Sequence, residues 1–214
     1  MHSDLKLYQS GGSPNSRRVR IFLAEKGMDL TQVPVDLGAK EQFSDAYVAI
    51  NPRRVVPTLV LADGTAIGEV PAIMRYLDEA YPEHALLGTD LKAKAIIQMW
   101  ERRMELEGFS PVMETVRNRV PGLKGRAIAG PHDYEQVPGL VDRGMERVRD
   151  FYADLESRLG EVDFVAGAAL SAADITAFVT IDFATGALQL GIPETSTTIR
   201  RWYDALAARP GFSA

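Results

Sequence analysis

The stretch "VVPTLVLADGTAIGEVPAIMRYLDEAYP", from Val55 to Pro82, changes its hydrophobic period once. Apolar residues run as a strand after Pro57, turn at Asp63–Gly64 and return through Ala66 and Ile67, which is a hairpin signal. From Pro71 the apolar spacing becomes helical, and that helix ends at Tyr81 before Pro82. A strand, a turn, a strand and a helix in one run place this segment in a mixed α/β layer.

Upstream, "LKLYQ" (Leu5–Gln9) reads as a strand ended by Gly11–Gly12. "SRRVRIFLAEKG" reads as a helix with Val19, Phe22 and Leu23 on one face and Gly27 as its stop. "TQVPVDL" is a second strand, and Pro34 assigns it to an edge. "SDAYVAI" is a short helix closed by Asn51–Pro52. The order is βαβα followed by ββα, which predicts a four-stranded mixed sheet with flanking helices over residues 1–81.

Downstream of residues 82–89, read as the linker, the pattern is helical throughout. Leu91 to Val120 reads as one long helix, and "PGLKGRAIAGPHDYEQVPG" as a loop. Leu140 to Leu159, residues 169–188 and Ile199 to Arg209 supply three more helices. The chain therefore divides into an α/β domain over 1–81 and an all-α domain over 90–214.

The 214 residues are 46% hydrophobic and 25% charged, enough apolar material for cores of this size. A net charge of −5 does not point to nucleic acid, and the arginine pairs are scattered and mixed with acids, as on a solvated face. No cysteine is present, and His2, His84 and His132 never fall at metal-ligand spacing, so no metal site is expected. No apolar run reaches membrane-spanning length and no targeting segment precedes Leu5, so the chain reads as cytoplasmic.

Three features can carry chemistry. "GGSPNS" places Ser13 as a helix N-cap before Pro14; the same hydroxyl, beside the positive end of the helix, could steady a ligand anion. "VVPTLVL" makes Val56 extended before Pro57; as a cis bond it would turn the Val56 N–H and C=O outward for a peptide ligand, and otherwise it is an ordinary strand-edge proline. "GEVPAI" sets Glu69 and Val70 at the approach to a helix; Glu69 is either a first-turn acid favouring the dipole or an acceptor for a ligand ammonium.

In this order the three resemble the glutathione transferase family. "SPNSRRVRIFLAEKG", "NPRRVVPTLVLADGTAI", "AIMRYLDEAYP" and "FVAGAALSAADITAFVTI" carry the resemblance across nearly the whole chain. It implies a thioredoxin-like N-terminal domain with cis Pro57, an all-helical C-terminal domain, and a structural capping box of Ser171 and Asp174. "MWERRMELEGFSPVMETVRN" and "IRRWYDALAARPGF" resemble an atypical branch found in fungi and bacteria.

The resemblance implies that Ser13 steadies the glutathione thiolate, Val56 clamps the cysteinyl unit, Glu69 reads the γ-glutamyl end, and Gln42 reaches the glycyl carboxylate. Arg54 joins the glutathione-binding set, although Arg54 and Val55 stand where the family has a glycine and often a lysine. Val70 stands where the family has a serine. Met113, Arg117 and Asn118 would line the electrophile pocket. The branch's histidine and serine, placed after the long helix, correspond here to Asn118 and Lys124.

Glutathione is then the co-substrate, a small hydrophobic electrophile the partner, detoxification the role and a homodimer the assembly, without metal, membrane or nucleic acid. A non-catalytic binding or scaffold protein is the alternative, favoured by Val70, Asn118 and Lys124 and opposed by Ser13 and Glu69.

Overall fold

The computed structural model describes residues 4–214; His2 lies outside the described residues. The chain forms two compact units. The first runs up to His84 and includes Ala129–His132 and Ala214; the second comprises Ala85–Ile128 and Asp133–Ser213.

In the first unit, β1 (Lys6–Gln9), α1 (Pro14–Glu25), β2 (Thr31–Pro34), α2 (Asp45–Val48), β3 (Thr58–Val60), β4 (Ala66–Ile67) and α3 (Val70–Ala80) follow in chain order. The sheet order is β2-β1-β3-β4. β1 pairs parallel with β2 (Leu7↔Gln32) and antiparallel with β3 (Leu7↔Leu59), and β3 pairs antiparallel with β4 (Leu59↔Ile67). β2 is an edge, which is why Pro34, lacking an N–H, is tolerated there. The parallel β1–β2 pair requires a crossover, supplied by α1, whereas the β3–β4 pair needs only the Asp63–Gly64 turn. Gly64 takes φ 86, the left-handed conformation that the tight turn demands.

Leu7, Val19, Ile21, Phe22, Leu59, Ile73 and Leu77 form the core of this unit, with no measurable exposure. Removing their apolar surface from water is the main favourable term holding α1 and α3 on the sheet.

The second unit contains α4 (Leu91–Arg103), α5 (Ser110–Arg119), α6 (Gly139–Glu161), α7 (Ala172–Leu188) and α8 (Thr197–Ala207). The sequence predicts one uninterrupted α-helix from Leu91 to Val120. Instead, Met104–Phe109 is π-helical between α4 and α5. Pro111 gives the physical reason: it has no N–H for the Glu107 carbonyl, and its ring would collide with that carbonyl in a regular α-turn. Segment 121–138 is irregular apart from a 3₁₀ turn at Pro121–Leu123 and a bridge between Arg126 and Tyr134.

Close helix approaches explain two glycines here. A Cβ on Gly144 of α6 would stand 2.0 Å from Thr115 Oγ1 on α5, and one on Gly108 would stand 2.6 Å from the Phe151 ring. Glycine is the residue that allows these backbones so close. α7 is buried nearly all round, consistent with its central place in the helical unit. Its first turn carries the capping box of Ser171 and Asp174 that the sequence predicts.

Candidate functional site

Ser13 is the N-cap of α1. Its Oγ accepts from the Ser16 N–H at 3.3 Å, while its own N–H donates to the Ser10 carbonyl at 3.1 Å. The capping interaction uses a lone pair and leaves the hydroxyl proton available, so capping and anion stabilisation are compatible at one oxygen. The preceding loop is pinned by Arg20. Its Nη1 donates to Gln9 Oε1 at 2.8 Å and to the Ser10 carbonyl at 3.3 Å, and its Nη2 donates to the Gly11 carbonyl at 3.4 Å. Partial burial, and secondarily the charge of Arg17, lower the Arg20 pKa from its ordinary value.

The loop before β3 is built on a buried polar network absent from the sequence reading. Tyr47 donates its hydroxyl to the Val55 carbonyl at 2.6 Å, and its oxygen lies 3.1 Å from Thr58 Oγ1. Asn51 Nδ2 donates to the same carbonyl at 3.0 Å and to Thr58 Oγ1 at 2.8 Å, while Asn51 Oδ1 accepts from the Arg53 N–H at 2.9 Å. Burial raises the Tyr47 pKa above its ordinary value, against the lowering effect of its Thr58 and Asn51 hydrogen bonds. This network fixes the chain at Val56, and the Val56–Pro57 peptide is cis. In sequence, the only trace of it is Asn51–Pro52, read as a helix stop.

Arg54 closes the Asn51–Arg54 turn through its N–H to the Asn51 carbonyl at 2.9 Å and takes φ 57. That left-handed conformation favours the glycine found here in the resembling family and disfavours a side chain by about 1–2 kcal/mol. The guanidinium lies 5.7 Å from the Phe43 ring centroid, and its buried Nε has no hydrogen-bond partner. Gln42, beside Phe43, is buried and its Oε1 also lacks a partner. Two orphaned polar atoms thus lie in one neighbourhood, and an Arg54 Nε–H is a donor suited to a carboxylate.

Glu69 is the N-cap of α3 with φ 64 and ψ 124, and its side chain makes no capping bond. It is exposed, and its carboxylate has no hydrogen bond or ion pair among the described residues. Val70, the first residue of α3, is 4% exposed, so its side chain belongs to the core and its backbone N–H is what it offers a ligand.

Met113, Arg117 and Asn118 belong to the second unit, on α5. Asn118 is engaged by its own surroundings: Nδ2 donates to the Glu114 carbonyl at 2.8 Å and Oδ1 accepts from the Val137 N–H at 2.8 Å. It anchors segment 121–138 to α5, assisted by Gln136, whose Nε2 donates to the Arg117 and Val120 carbonyls at 2.9 and 2.8 Å. Lys124, just after the 3₁₀ turn, is exposed.

The two-unit arrangement, a thioredoxin-like mixed sheet followed by an all-helical unit, defines a glutathione-transferase fold. Residues 7–85 match the model of the glutathione S-transferase N-terminal domain, and residues 138–205 match that of the C-terminal domain. Glutathione S-transferase 2 of Saccharomyces cerevisiae is 32% identical over 212 residues, covering 98% of this chain and 88% of the relative. A maleylacetoacetate isomerase of Pseudomonas aeruginosa is 44% identical over a shorter stretch of 88 residues, 40% of this chain and 42% of that protein. The crystal structure of a glutathione S-transferase domain-containing protein of Marinobacter aquaeolei superposes with a TM-score of 0.89 at 34% identity, covering 97% of this chain and 99% of that one. The chain belongs to the glutathione S-transferase family.

Proposed function

We propose that this protein is a glutathione transferase that joins the glutathione sulfur to a hydrophobic electrophile. The observation that carries the reading is Glu69. A non-glycine residue held at positive φ in this way costs about 1–3 kcal/mol, and strain of that size persists where a position serves something other than the fold. The Glu69 carbonyl accepts from the Ala72 and Ile73 N–H groups at 3.1 and 3.0 Å, but its side chain obtains no hydrogen bond among the described residues. That unpartnered acid is the N-cap residue, next in sequence to Val70, whose N–H opens α3 at the positive end of the helix. An acid next to an N–H donor at a helix start recognises an α-amino acid end, the carboxylate for the ammonium and the N–H for the ligand carboxylate. That is the chemistry of the γ-glutamyl group.

On this reading the Val56 backbone pairs with the cysteinyl unit, and Gln42 and Arg54 take the glycyl carboxylate. The Ser13 O–H donates to the sulfur and lowers the thiol pKa by stabilising the thiolate. The thiol proton passes to solvent, and the thiolate attacks the electrophilic carbon, forming the C–S bond as that carbon's bond to a leaving group breaks and the group departs with the electron pair. The non-catalytic alternative draws on Asn118, whose amide is engaged by its own helix through Nδ2 and by the following loop through Oδ1, and on Val70, which brings no hydroxyl.

Ser13→Ala separates the two. A contact made chiefly to the developing anion lowers kcat much more than it raises KM for glutathione. Loss of one such donor is expected to slow conjugation by about ten- to a hundredfold, the equivalent of one hydrogen bond to a charged group. Unchanged turnover would leave Ser13 as a helix cap alone.

A homodimer is part of the same proposal. Leu91, Met99 and Leu106 are 89%, 50% and 44% exposed and recur at helical spacing along one run. Such an apolar stripe is suited to a second copy of the chain. Light scattering at micromolar concentration is expected to give twice 23.5 kDa; a mass of 23.5 kDa would contradict it.

A further inference from the structure

The region around the C-terminal turn of α5 is strongly basic in an acidic protein. From Thr115 to His132 the sequence holds Arg117, Arg119, Lys124 and Arg126 and no acid, although the whole chain carries −5. Two of these cations are held together. Arg117 Nη2 donates to the Arg126 carbonyl at 2.6 Å. Arg126 is fixed by the bridge to Tyr134, in which the Ala127 N–H donates to the Tyr134 carbonyl at 3.0 Å and the Tyr134 N–H to the Gly125 carbonyl at 2.9 Å. The side chain of Arg126 donates to the Gly122 carbonyl at 2.9 Å.

Neither guanidinium has an acidic partner among the described residues. Glu114, one turn before Arg117, pairs instead with Arg143 at 3.3 Å. Arg117 Nε is buried without any hydrogen-bond partner. Burial, and then the charge of Arg126, lower the Arg117 pKa from its ordinary value, as expected for a cation partly desolvated beside another. Two arginines so placed lack the oxyanion that guanidinium geometry favours. Met113 lies one turn before Arg117 on α5, and Val120, three residues after it, is the extended C-cap residue of the helix, so apolar residues flank the cation along the chain.

We propose that Arg117 and Arg126 form a subsite for the carboxylate of an otherwise apolar small molecule, whose body lies along Met113 and Val120. This assigns the second substrate to a class, anionic apolar compounds, and rests on the reading that the α5 residues take that substrate. A flexible polyanion is the poorer fit, because the unpaired donor is buried and the chain as a whole is acidic.

The test is calorimetric binding of two unreactive probes, 3,5-dinitrobenzoate and 1,3-dinitrobenzene, which share an aromatic body and differ in the carboxylate. Wild-type protein is expected to bind the benzoate at least about tenfold more tightly, and Arg117→Gln to remove most of that preference. Arg126→Gln, which alters a more exposed side chain, is expected to reduce the preference in the same direction and serves if Arg117→Gln does not fold. Equal affinity for the two probes, binding of neither, or a preference that survives substitution would overturn the subsite. Glutathione titrated into the same samples keeps the two claims apart. Glutathione binding without a benzoate preference removes only the subsite, and the preference without glutathione binding removes only the transferase reading.

Discussion

Asp174→Ala is expected to destabilise the helical unit by about 4 kcal/mol or more, because one carboxylate serves four buried donors, each costly to leave unpaired. Oδ1 accepts from the Val165 N–H at 2.8 Å and from the Trp202 Nε1–H at 3.1 Å. Oδ2 accepts from the Ser171 N–H and the Ser171 hydroxyl, both at 3.0 Å. The side chain therefore joins the start of α7 to the segment before it and to α8. Alanine would orphan two backbone N–H groups and an indole N–H around a side chain with no exposure, as well as opening a cavity. Chemical denaturation followed by circular dichroism measures the loss; a change under about 1 kcal/mol would put Asp174 among replaceable core residues.

The same group gives a signed pH dependence. Burial pushes the Asp174 pKa up to about 6, although all four hydrogen bonds pull it down. A carboxyl whose folded pKa lies above its unfolded value of about 3.9 holds its proton longer when folded. Its contribution to stability is then greatest below about pH 4, declines as the pH rises to about 6, and is level above. The stability difference between wild type and Asp174→Asn should narrow over that interval.

Lys26→Met is expected to cost about 3–5 kcal/mol, the range for breaking a buried ion pair by removing one partner. Lys26 Nζ is 0% exposed and reaches Asp78 Oδ1 of α3 at 2.8 Å. It also donates to the Glu83 carbonyl at 2.9 Å and the His84 carbonyl at 3.4 Å. All three ammonium protons are thus used, tying the end of α1 to α3 and to the chain that leaves it. Methionine fills the stem's volume but leaves Asp78 buried without this cation. Pairing the change with Asp78→Leu should recover much of the loss, since two apolar side chains replace the pair. If the double variant is no more stable than Lys26→Met, the effect lies in packing.

The periods of the sequence carry most of this fold. The Asp63–Gly64 hairpin and the edge position of Pro34 each follow from a local rule about turns or missing N–H groups, and the capping box at Ser171 follows from the family resemblance. What escaped is non-local or finely local. Leu91 to Val120 reads as one long helix because its apolar spacing continues past Pro111, and that spacing does not express the π-helical segment before the proline. The Tyr47–Asn51–Thr58 network gathers three polar residues from a helix, a loop and a strand, and no periodicity marks it. Lys26 reads as a helix-end cation, and nothing near it in sequence announces Asp78 as its partner. Among the residues proposed for the site, Ser13 and Glu69 each stand at a helix start, a position that the sequence marks. The burial of Val70, the left-handed turn at Arg54 and the use of Asn118 as a loop anchor depend on packing that sequence spacing does not express.

Calorimetric titration of glutathione into wild-type protein and Glu69→Ala tests whether Glu69 holds the γ-glutamyl end of glutathione. The wild type is expected to bind glutathione, and the substitution to weaken binding by about tenfold or more, the worth of one charged hydrogen bond to the γ-glutamyl ammonium. Identical affinities for the two proteins, or no binding by the wild type, would contradict it.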